Sequence, residues 1–201
     1  METTPAILLR RTRLTETSLI ITWFSLAHGR IQTVAKGARQ PKSRFAGLLD
    51  LFFQCEIQFS RSRKSELHIL REVALAQSFE GIRSDYRRVA LAAYAVELLE
   101  LVTESDHAVP ELYDLLQRLL GHLHKQPASL RALLHYEAEL VRLLGIAQSS
   151  VTPAVALGRA YHRLPSARAD LLTSLREADS TRKKLPPSVE GREPGLSSGE
   201  D

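Results

Sequence analysis

A run of positive charge near the N-terminus is the part of this 201-residue sequence with the clearest capacity for chemistry. Within VAKGARQPKSRF, residues 34–45, four cations stand without an acidic residue among them: Lys36, Arg39, Lys42 and Arg44. The glycine and the proline in this stretch indicate a loop. Long cationic side chains on a loop can each meet a backbone phosphate without base-specific geometry. We call these four residues the basic loop. It is a candidate contact for an anionic partner, and the alternative is a solvated turn.

A nucleotide-binding loop is excluded by the spacing of this stretch. A loop that cradles phosphates needs a glycine, four residues, and then Gly-Lys-Ser or Gly-Lys-Thr between a strand and a helix. The segment GARQPKS offers Gly37, Lys42 and Ser43, but it is one residue short and lacks the second glycine. Pro41 also lacks the backbone N–H that such a loop would use. Nucleotide hydrolysis is therefore not expected.

No other group of residues predicts catalysis or metal binding. His122 and His124 are two apart, so on a helix they point about 200° apart and cannot share an ion. The other histidines have no carboxylate or cysteine at ligand spacing, and the single cysteine, Cys55, makes neither a disulfide nor a zinc cluster. Glu97 and Glu100 share a helix face without a partner histidine, which favours an interdomain or surface role. We expect no catalytic residue, no cofactor, no metal and no enzymatic activity.

The positive charge is concentrated in the first part of the chain. Residues 1–80 contain 12 lysines and arginines against 7 acids, whereas residues 81–201 contain 15 against 16. Further arginines and a lysine could widen the patch around the basic loop: Arg10, Arg11, Arg13, Arg61, Arg63 and Lys64. Proteins that bind single strands pair such charge with aromatic stacking platforms. The aromatic residues available are Trp23, Phe24, Phe45, Phe52, Phe53 and Phe59, most of which we expect in a core.

Residues 1–77 show the pattern of β-strands. Five runs rich in branched and aromatic residues are separated by turn signals: AILLRRTR, SLIITWFSL, RIQTVAKG, QCEIQFSR and ELHILREVAL. In the fourth run, Cys55, Ile57 and Phe59 alternate with polar residues, which predicts one buried face. The segment SRFAGLLDL, residues 43–51, is predicted as a short helix between the third and fourth strands. This order predicts a five-stranded oligonucleotide-binding (OB) barrel, although other small barrels share the strand count.

From residue 78 the period changes to that of α-helices. SDYRRVALAAYAVELLELVTE is apolar on nearly all sides, so it predicts a buried helix, with Ser84 as its N-cap. Pro110 is suited to open the next helix, and Gly145 to close the one after it. The predicted fold is thus α+β: an OB barrel over residues 1–77, an α-helical domain over 78–180, and a disordered tail over 181–201 rich in Pro, Gly and Ser.

Composition bounds the class of protein further. Apolar residues make up 44% of the chain, which predicts a globular fold. No segment reaches the roughly 18 apolar residues of a membrane helix, and METTPAILLRR is not a signal peptide. We therefore expect a cytoplasmic protein without membrane contact.

The motifs together resemble the RecO family of bacterial recombination mediators. The resemblance is carried by ETSLIIT, by HGRI and by AKGARQPKSR, which follow the family pattern E-T-x-L-I-x-T, H-G-x-I and A-K-G-A-R-x-P-K-S-R. Further on, SFEGIRSDYRRVALAAYAVELLELVTE and LHYEAELVRLLGIA are similar to the helical domain of the same family. The resemblance covers about residues 1–147, and the basic loop matches the family motif position by position.

This resemblance implies a protein that binds single- and double-stranded DNA and anneals complementary strands. It also implies RecR as a partner, contact with the acidic C-terminal tail of the single-stranded DNA-binding protein, and an indirect action on RecA. The expected location is the bacterial cytoplasm, in association with the nucleoid. Many members carry a four-cysteine zinc motif after the segment that Leu144–Ala147 matches, whereas this chain has no cysteine there. No metal is therefore expected.

Two other functions stay open on the sequence alone. The chain could be a protein–protein adaptor whose barrel no longer binds nucleic acid, or an RNA-binding OB protein. In the principal interpretation, a non-enzymatic DNA-annealing mediator, the helical domain is an interaction surface and a lid over one side of the barrel. Sequence does not determine which barrel face binds DNA, where the acidic tail binds, the stoichiometry with RecR, or how residues 148–185 pack.

Overall fold

Five β-strands close into a barrel in the N-terminal part of the chain. The computed structural model describes residues 1–184. The strands are β1 (Glu2–Arg13), β2 (Leu19–Ser25), β3 (Gly29–Ala35), β4 (Gln54–Ser60) and β5 (Leu67–Gln77). Their order around the barrel is β1-β2-β3-β5-β4, and every neighbouring pair is antiparallel except β3 with β5. The predicted five-stranded OB barrel is confirmed.

The middle of strand β1 is buried on both faces, which explains why its apolar residues are consecutive rather than alternating. Ala6 and Leu8 belong to the barrel core, whereas Ile7 and Leu9 belong to the core shared with the helices. All four are less than 5% exposed. A bulge shifts the pairing with β2 between Leu8 and Arg10. Strand β4 alternates as its sequence predicts, with Cys55, Ile57 and Phe59 in the barrel core.

The predicted helix over residues 43–51 is wrong. This part of the connection between β3 and β4 is a series of turns. Gly47 and Phe52 take left-handed backbone conformations, with φ of 73° and 68°, which interrupt the repeating helical hydrogen bonds. Phe45 and Leu49 are nevertheless buried in the barrel core, so the connection folds back over the barrel.

Helices form the rest of the described chain. After a 3-10 helix at Glu80–Ser84 come α1 (Tyr86–Val102), α2 (Pro110–Lys125), α3 (Leu130–Leu143), α4 (Pro153–Tyr161) and α5 (Arg168–Lys184). The N-cap of α1 is Asp85, whose side chain accepts from the Arg87 amide, so the prediction of Ser84 is wrong by one residue. Ser84 instead donates its hydroxyl to the carbonyl of Gly81. Gly145 follows α3 with φ of 69°, as expected of a glycine that closes a helix.

Barrel and helices share one apolar core. Ile7, Leu9 and Phe24 of the barrel belong to the same buried cluster as the apolar faces of α1 and α2. The ring of Phe24 stacks on Tyr113 of α2 with 6.3 Å between centroids. The Gln54 side chain of β4 donates to the Tyr113 hydroxyl at 3.3 Å. The outer face of the barrel is therefore covered by helices on this side.

A buried ion pair fixes the C-terminal helix. Glu137 of α3 has no exposed surface and accepts two hydrogen bonds from Arg168, at 2.7 and 2.8 Å. It also accepts a hydrogen bond from the Tyr94 hydroxyl of α1 at 2.6 Å. Burial, and then this bond, raise the pKa of Tyr94, so the phenol stays protonated. Leu171 and Leu175 of α5 lie in the core that the barrel shares with the helices, so α5 packs with its apolar side against that core.

The predicted tail began at residue 181, but α5 continues to Lys184. The remaining residues, 185–201, lie outside the described part of the chain. Among the described residues, none of the helices has the length and apolar character required to cross a membrane.

Candidate nucleic-acid interface

The basic loop lies at one end of the barrel, together with the connection between β1 and β2. Arg13 at the end of β1 pairs with Leu19, and Leu19 pairs with Ala35 at the end of β3. The backbone amide of Arg39 donates to the carbonyl of Thr17 at 2.9 Å, which joins the two connections directly. We call this the open end, defined by residues 14–18 and 36–44.

The four cations of the basic loop are exposed and without carboxylate partners within residues 1–184. Arg39 directs Nη1 to the carbonyls of Thr15 and Glu16, at 3.5 and 2.9 Å. Carbonyls do not neutralise a guanidinium, so Arg39 keeps its charge and the N–H groups of Nε and Nη2. Arg44 lies over the ring of Phe45, with 4.8 Å from Cζ to the centroid. The loop is thus a cluster of uncompensated positive charge.

Arg11 and Arg13 lie next to the open end, but both face carboxylates. Arg13 pairs with Glu16, three residues later. Arg11 donates to the carbonyl of Leu49 at 2.8 Å and lies 3.4 Å from a carboxylate oxygen of Asp50. The other oxygen of Asp50 accepts from Arg83 at 2.8 Å. Two guanidiniums therefore share one carboxylate, which leaves net positive charge behind the basic loop.

A cavity of about 630 Å³ lies behind the basic loop, and we call it the loop cavity. Its lining includes the apolar side chains of Leu19, Ala38 and Phe53, with Arg39 and Asp50 at its polar side. Arg83 stands over the Phe53 ring, with 5.1 Å from Cζ to the centroid. Sequence reasoning did not connect Arg83 or Asp50 with the basic loop, because the three segments meet only through the fold.

Arg61 and Arg63 lie at the opposite end of β2, about 20 Å away for a seven-residue strand. We call it the pinned end, because the connection between α1 and α2 is attached there. Arg61 lies 3.2 Å from Glu2 of β1 and 3.2 Å from Asp106 of that connection. Arg63 is exposed, and no ion pair to it is formed within residues 1–184. The predicted patch is therefore divided between two ends of the barrel.

A buried histidine lies at the pinned end. His68 is 2% exposed, and its ring stacks on Phe59 with 5.4 Å between centroids. Its Nδ1 accepts from the Ser62 amide at 3.3 Å, whereas Nε2 has no hydrogen-bond partner among the described residues. Burial lowers the pKa of His68, and the nearby Asp106 carboxylate opposes this only in part. The imidazole is therefore neutral at pH 7.

Most of the aromatic residues are unavailable for stacking on bases. Five of the six in the barrel part are less than 5% exposed: Trp23, Phe24, Phe45, Phe52 and Phe59. The sixth, Phe53, is half-buried and lines the loop cavity. The expectation that most of them are core residues is confirmed, and Phe53 is the exception.

The face of β2 and β3, which many OB barrels use for ligands, is overhung by the helical region. A cleft of about 710 Å³ separates Thr22, Arg30 and Gln32 of the barrel from Arg163 and neighbouring residues. Arg10 spans this cleft to Glu100 of α1, which fulfils the expectation of an interdomain role for Glu100. The bond to Glu100 raises the pKa of Arg10. This mixture of paired charges distinguishes the cleft from the open end.

A second cation-lined surface lies on the helices. A groove of about 480 Å³ between α2 and α3 is lined by Leu119, Ala132 and Tyr136, with Arg118 and Arg131 at its edges. Both arginines are exposed. We call it the helical groove.

Two observations concern metal ligands and the single thiol of the described residues. Within residues 1–184, no group of three or more potential ligands is placed to hold a metal ion. Burial raises the pKa of Cys55 to about 12, so its thiol is protonated and unreactive at neutral pH.

The fold and the open end define an OB-barrel protein with an appended helical region and a basic edge. Family comparisons give the relationship more narrowly. Residues 1–79 match the family model for the recombination protein O N terminal, and residues 83–150 match the model for the recombination protein O C terminal. The chain belongs to the RecO family.

Curated relatives carry the name DNA repair protein RecO. The relative from Rhodopirellula baltica is 35% identical over 140 residues, which are 70% of this chain and 52% of that protein. The relative from Pelobacter propionicus is 35% identical over 126 residues, 63% of this chain and 51% of that protein. The Geobacter sulfurreducens relative is 33% identical over 130 residues, 65% and 53% respectively. The chain thus spans about half the length of the curated relatives it matches.

Proposed function

We propose that this chain is a non-enzymatic DNA-binding factor of recombinational repair that holds single- and double-stranded DNA by their phosphates at the open end. The observation that carries the proposal is the basic loop: four exposed cations without a carboxylate partner in the described part of the chain. Arg11 and Arg13 add positive charge beside it. Cations that contact the phosphates of two strands at once would screen the repulsion between those strands. The bases could then test pairing, which is strand annealing.

The same proposal gives the helical region the role of a partner surface. RecR, the acidic tail of the single-stranded DNA-binding protein, and RecA indirectly, are the proposed partners, in the bacterial cytoplasm at the nucleoid. The helical groove fits an acidic peptide, because Arg118 and Arg131 can pair with carboxylates beside an apolar lining. Anisotropy with a labelled acidic-tail peptide, comparing wild type with Arg131→Ala, measures this contact; equal affinities would remove the groove from the proposal.

The central test is a salt series of DNA binding by fluorescence anisotropy. It compares wild type with a variant in which the four basic-loop cations become alanine. Each lost phosphate contact lowers the magnitude of the log–log salt slope by about 0.7 for single strands, so four contacts predict a change of about 2.8. The control removes the same charge from the exposed surface of the helical region. Its four substituted residues are Arg131, Arg142, Arg159 and Arg176.

The outcomes separate the three functional hypotheses. We expect the basic-loop variant to lose affinity by more than tenfold and to keep its fold, while the control variant binds as wild type does. If wild type does not bind DNA at moderate salt, the adaptor function is favoured instead. If a matched RNA is bound more tightly than DNA, the protein is an RNA-binding OB protein. If the basic-loop variant binds DNA as wild type does, the DNA-binding function stands and the basic loop is only a solvated turn.

A further inference from the structure

The loop cavity combines an apolar lining with a position directly behind the basic loop. Its volume of about 630 Å³ falls within the range of roughly 300–1,000 Å³ that is typical of small-ligand sites. Leu19, Ala38 and Phe53 provide apolar surface, and Arg39 belongs both to the cavity and to the basic loop. A group bound in the cavity would therefore lie beside any group that the basic loop binds, so one molecule could occupy both.

Phe53 is the more exposed of the two aromatic residues that line the cavity, because the other, Phe45, is only 3% exposed. Phe53 is the half-buried member of a set whose other five rings are buried in the two cores. Its backbone is anchored, because the Phe53 carbonyl accepts from the Leu8 amide at 2.9 Å. The guanidinium of Arg83 lies over the ring. A planar group that entered the cavity would meet the part of this ring that lines it, since Arg83 is not among the lining residues.

The charge of the cavity favours a ligand that is apolar in one part and anionic in another. Three guanidiniums lie in or beside the cavity, those of Arg11, Arg39 and Arg83, and the carboxylate of Asp50 pairs with only two of them, Arg11 and Arg83. The excess positive charge continues into the basic loop. A nucleotide has this combination, because a flat base with polar edges is joined to a phosphate.

We propose that the loop cavity takes one unpaired nucleobase of single-stranded DNA, which stacks on Phe53 while the basic loop holds the neighbouring phosphates. This inference rests on the proposed function, since it needs the strand to lie along the basic loop. Base–aromatic stacking tolerates any sequence because every base has a flat face. A base within a duplex is stacked and paired, so it does not enter. The cavity therefore gives single strands an advantage that the cations alone do not give.

The experiment compares single-stranded and duplex DNA of equal length, with Phe53→Leu as the test variant. Leucine keeps apolar volume and removes the aromatic face. We expect affinity for an oligo-dT strand to fall about fivefold or more, and affinity for the duplex to change less than twofold. The salt slope stays that of wild type, because no phosphate contact is removed. The control is Tyr86→Leu, which removes a ring that is 80% exposed and lies outside the cavity.

A second variant and a spectroscopic signal keep the test decisive if Phe53→Leu folds poorly. Ala46→Leu fills the cavity from an exposed loop position, so it has the same expected effect without touching the barrel core. A single 2-aminopurine in the oligo-dT strand reports the surroundings of that base, so its fluorescence should change when wild type binds and should change less with either cavity variant. Circular dichroism checks the fold of each protein.

The results distinguish this inference from the proposed function. If Phe53→Leu and Ala46→Leu both bind single strands as wild type does, or weaken single strands and duplex equally, the base site is wrong. In that case a basic-loop variant that still loses DNA binding leaves the proposed function intact. If wild type binds no DNA, the proposed function fails and this inference fails with it.

Discussion

At the open end of the barrel the cations of the basic loop face solvent without carboxylate partners in the described chain, whereas at the pinned end Arg61 lies between Glu2 and Asp106. The two ends belong to the same five strands and contain similar residue types. At the pinned end the barrel supplies one carboxylate, Glu2, and the helical region supplies the other, Asp106, whereas neither supplies one to the basic loop within residues 1–184. An arginine that looks free in a sequence can thus be a structural contact, and its charge is then not available to a ligand.

The backbone shows the same contrast. Gly29 at the pinned end and Gly47 near the open end both have positive φ, 65° and 73°. A Cβ on Gly29 would lie 1.9 Å from the carbonyl oxygen of His107, whereas one on Gly47 would have no heavy atom within 4 Å. The first glycine is required by close packing as well as by conformation, and the second by conformation alone.

The largest expected effect on the free energy of unfolding comes from substituting Gly29, with Gly47 as its comparison. Gly29→Ala should lower the free energy of unfolding by about 2–4 kcal/mol, because left-handed strain adds to a clash with the α1–α2 connection. Gly47→Ala should cost about 1–2 kcal/mol, from the strain alone. Equilibrium urea unfolding of the two variants measures both values. Equal losses would mean that the helical region is not held tightly at the pinned end.

A smaller effect should separate Arg61 from Arg63. Arg61→Ala removes ion pairs that are partly exposed, so we expect a loss of up to about 1 kcal/mol in the free energy of unfolding. Arg63→Ala should leave stability within about 0.5 kcal/mol of wild type. In the salt series, Arg61→Ala should keep the wild-type slope. A flatter slope for Arg61→Ala would instead support the prediction from sequence that this residue contacts DNA.

A third effect concerns pH at the pinned end. His68 packs among Asp106, Arg61, Glu2 and His28, and burial lowers its pKa. Below about pH 6.5 the unfolded chain takes up a proton that the folded protein does not, so stability falls as the pH falls, by at most about 1.4 kcal/mol per pH unit. His68→Gln should weaken this dependence between pH 7.5 and 5.5 in urea unfolding.

The control for that measurement is His122→Gln, which changes an exposed histidine of α2. It should keep the pH dependence of wild type. If His68→Gln keeps it as well, the loss of stability on acidification arises elsewhere.

Much of the fold was predictable because it depends on local patterns. Alternation at Cys55, Ile57 and Phe59 predicted β4, and a run that is apolar on nearly all sides predicted α1 as a buried helix. Pro110 and Gly145 predicted helix ends through their own backbone preferences. The short helix over residues 43–51 was mispredicted because Phe45 and Leu49, four apart, have helical spacing, whereas the left-handed backbone at Gly47 interrupts the helix.

The sequence by itself determined the family motif, the barrel followed by helices, and the charge of the basic loop, since these depend on residue types and short spacings. Only the tertiary structure decided which cations have carboxylate partners. Arg61 meets Asp106, and Arg11 meets Arg83 through Asp50, across segments that are distant in the chain. The fold likewise separates two neighbouring rings: Phe52 is buried in the core shared with the helices, whereas Phe53 is half-buried and lines the loop cavity. Such contacts depend on how separate elements pack, and no local pattern encodes them.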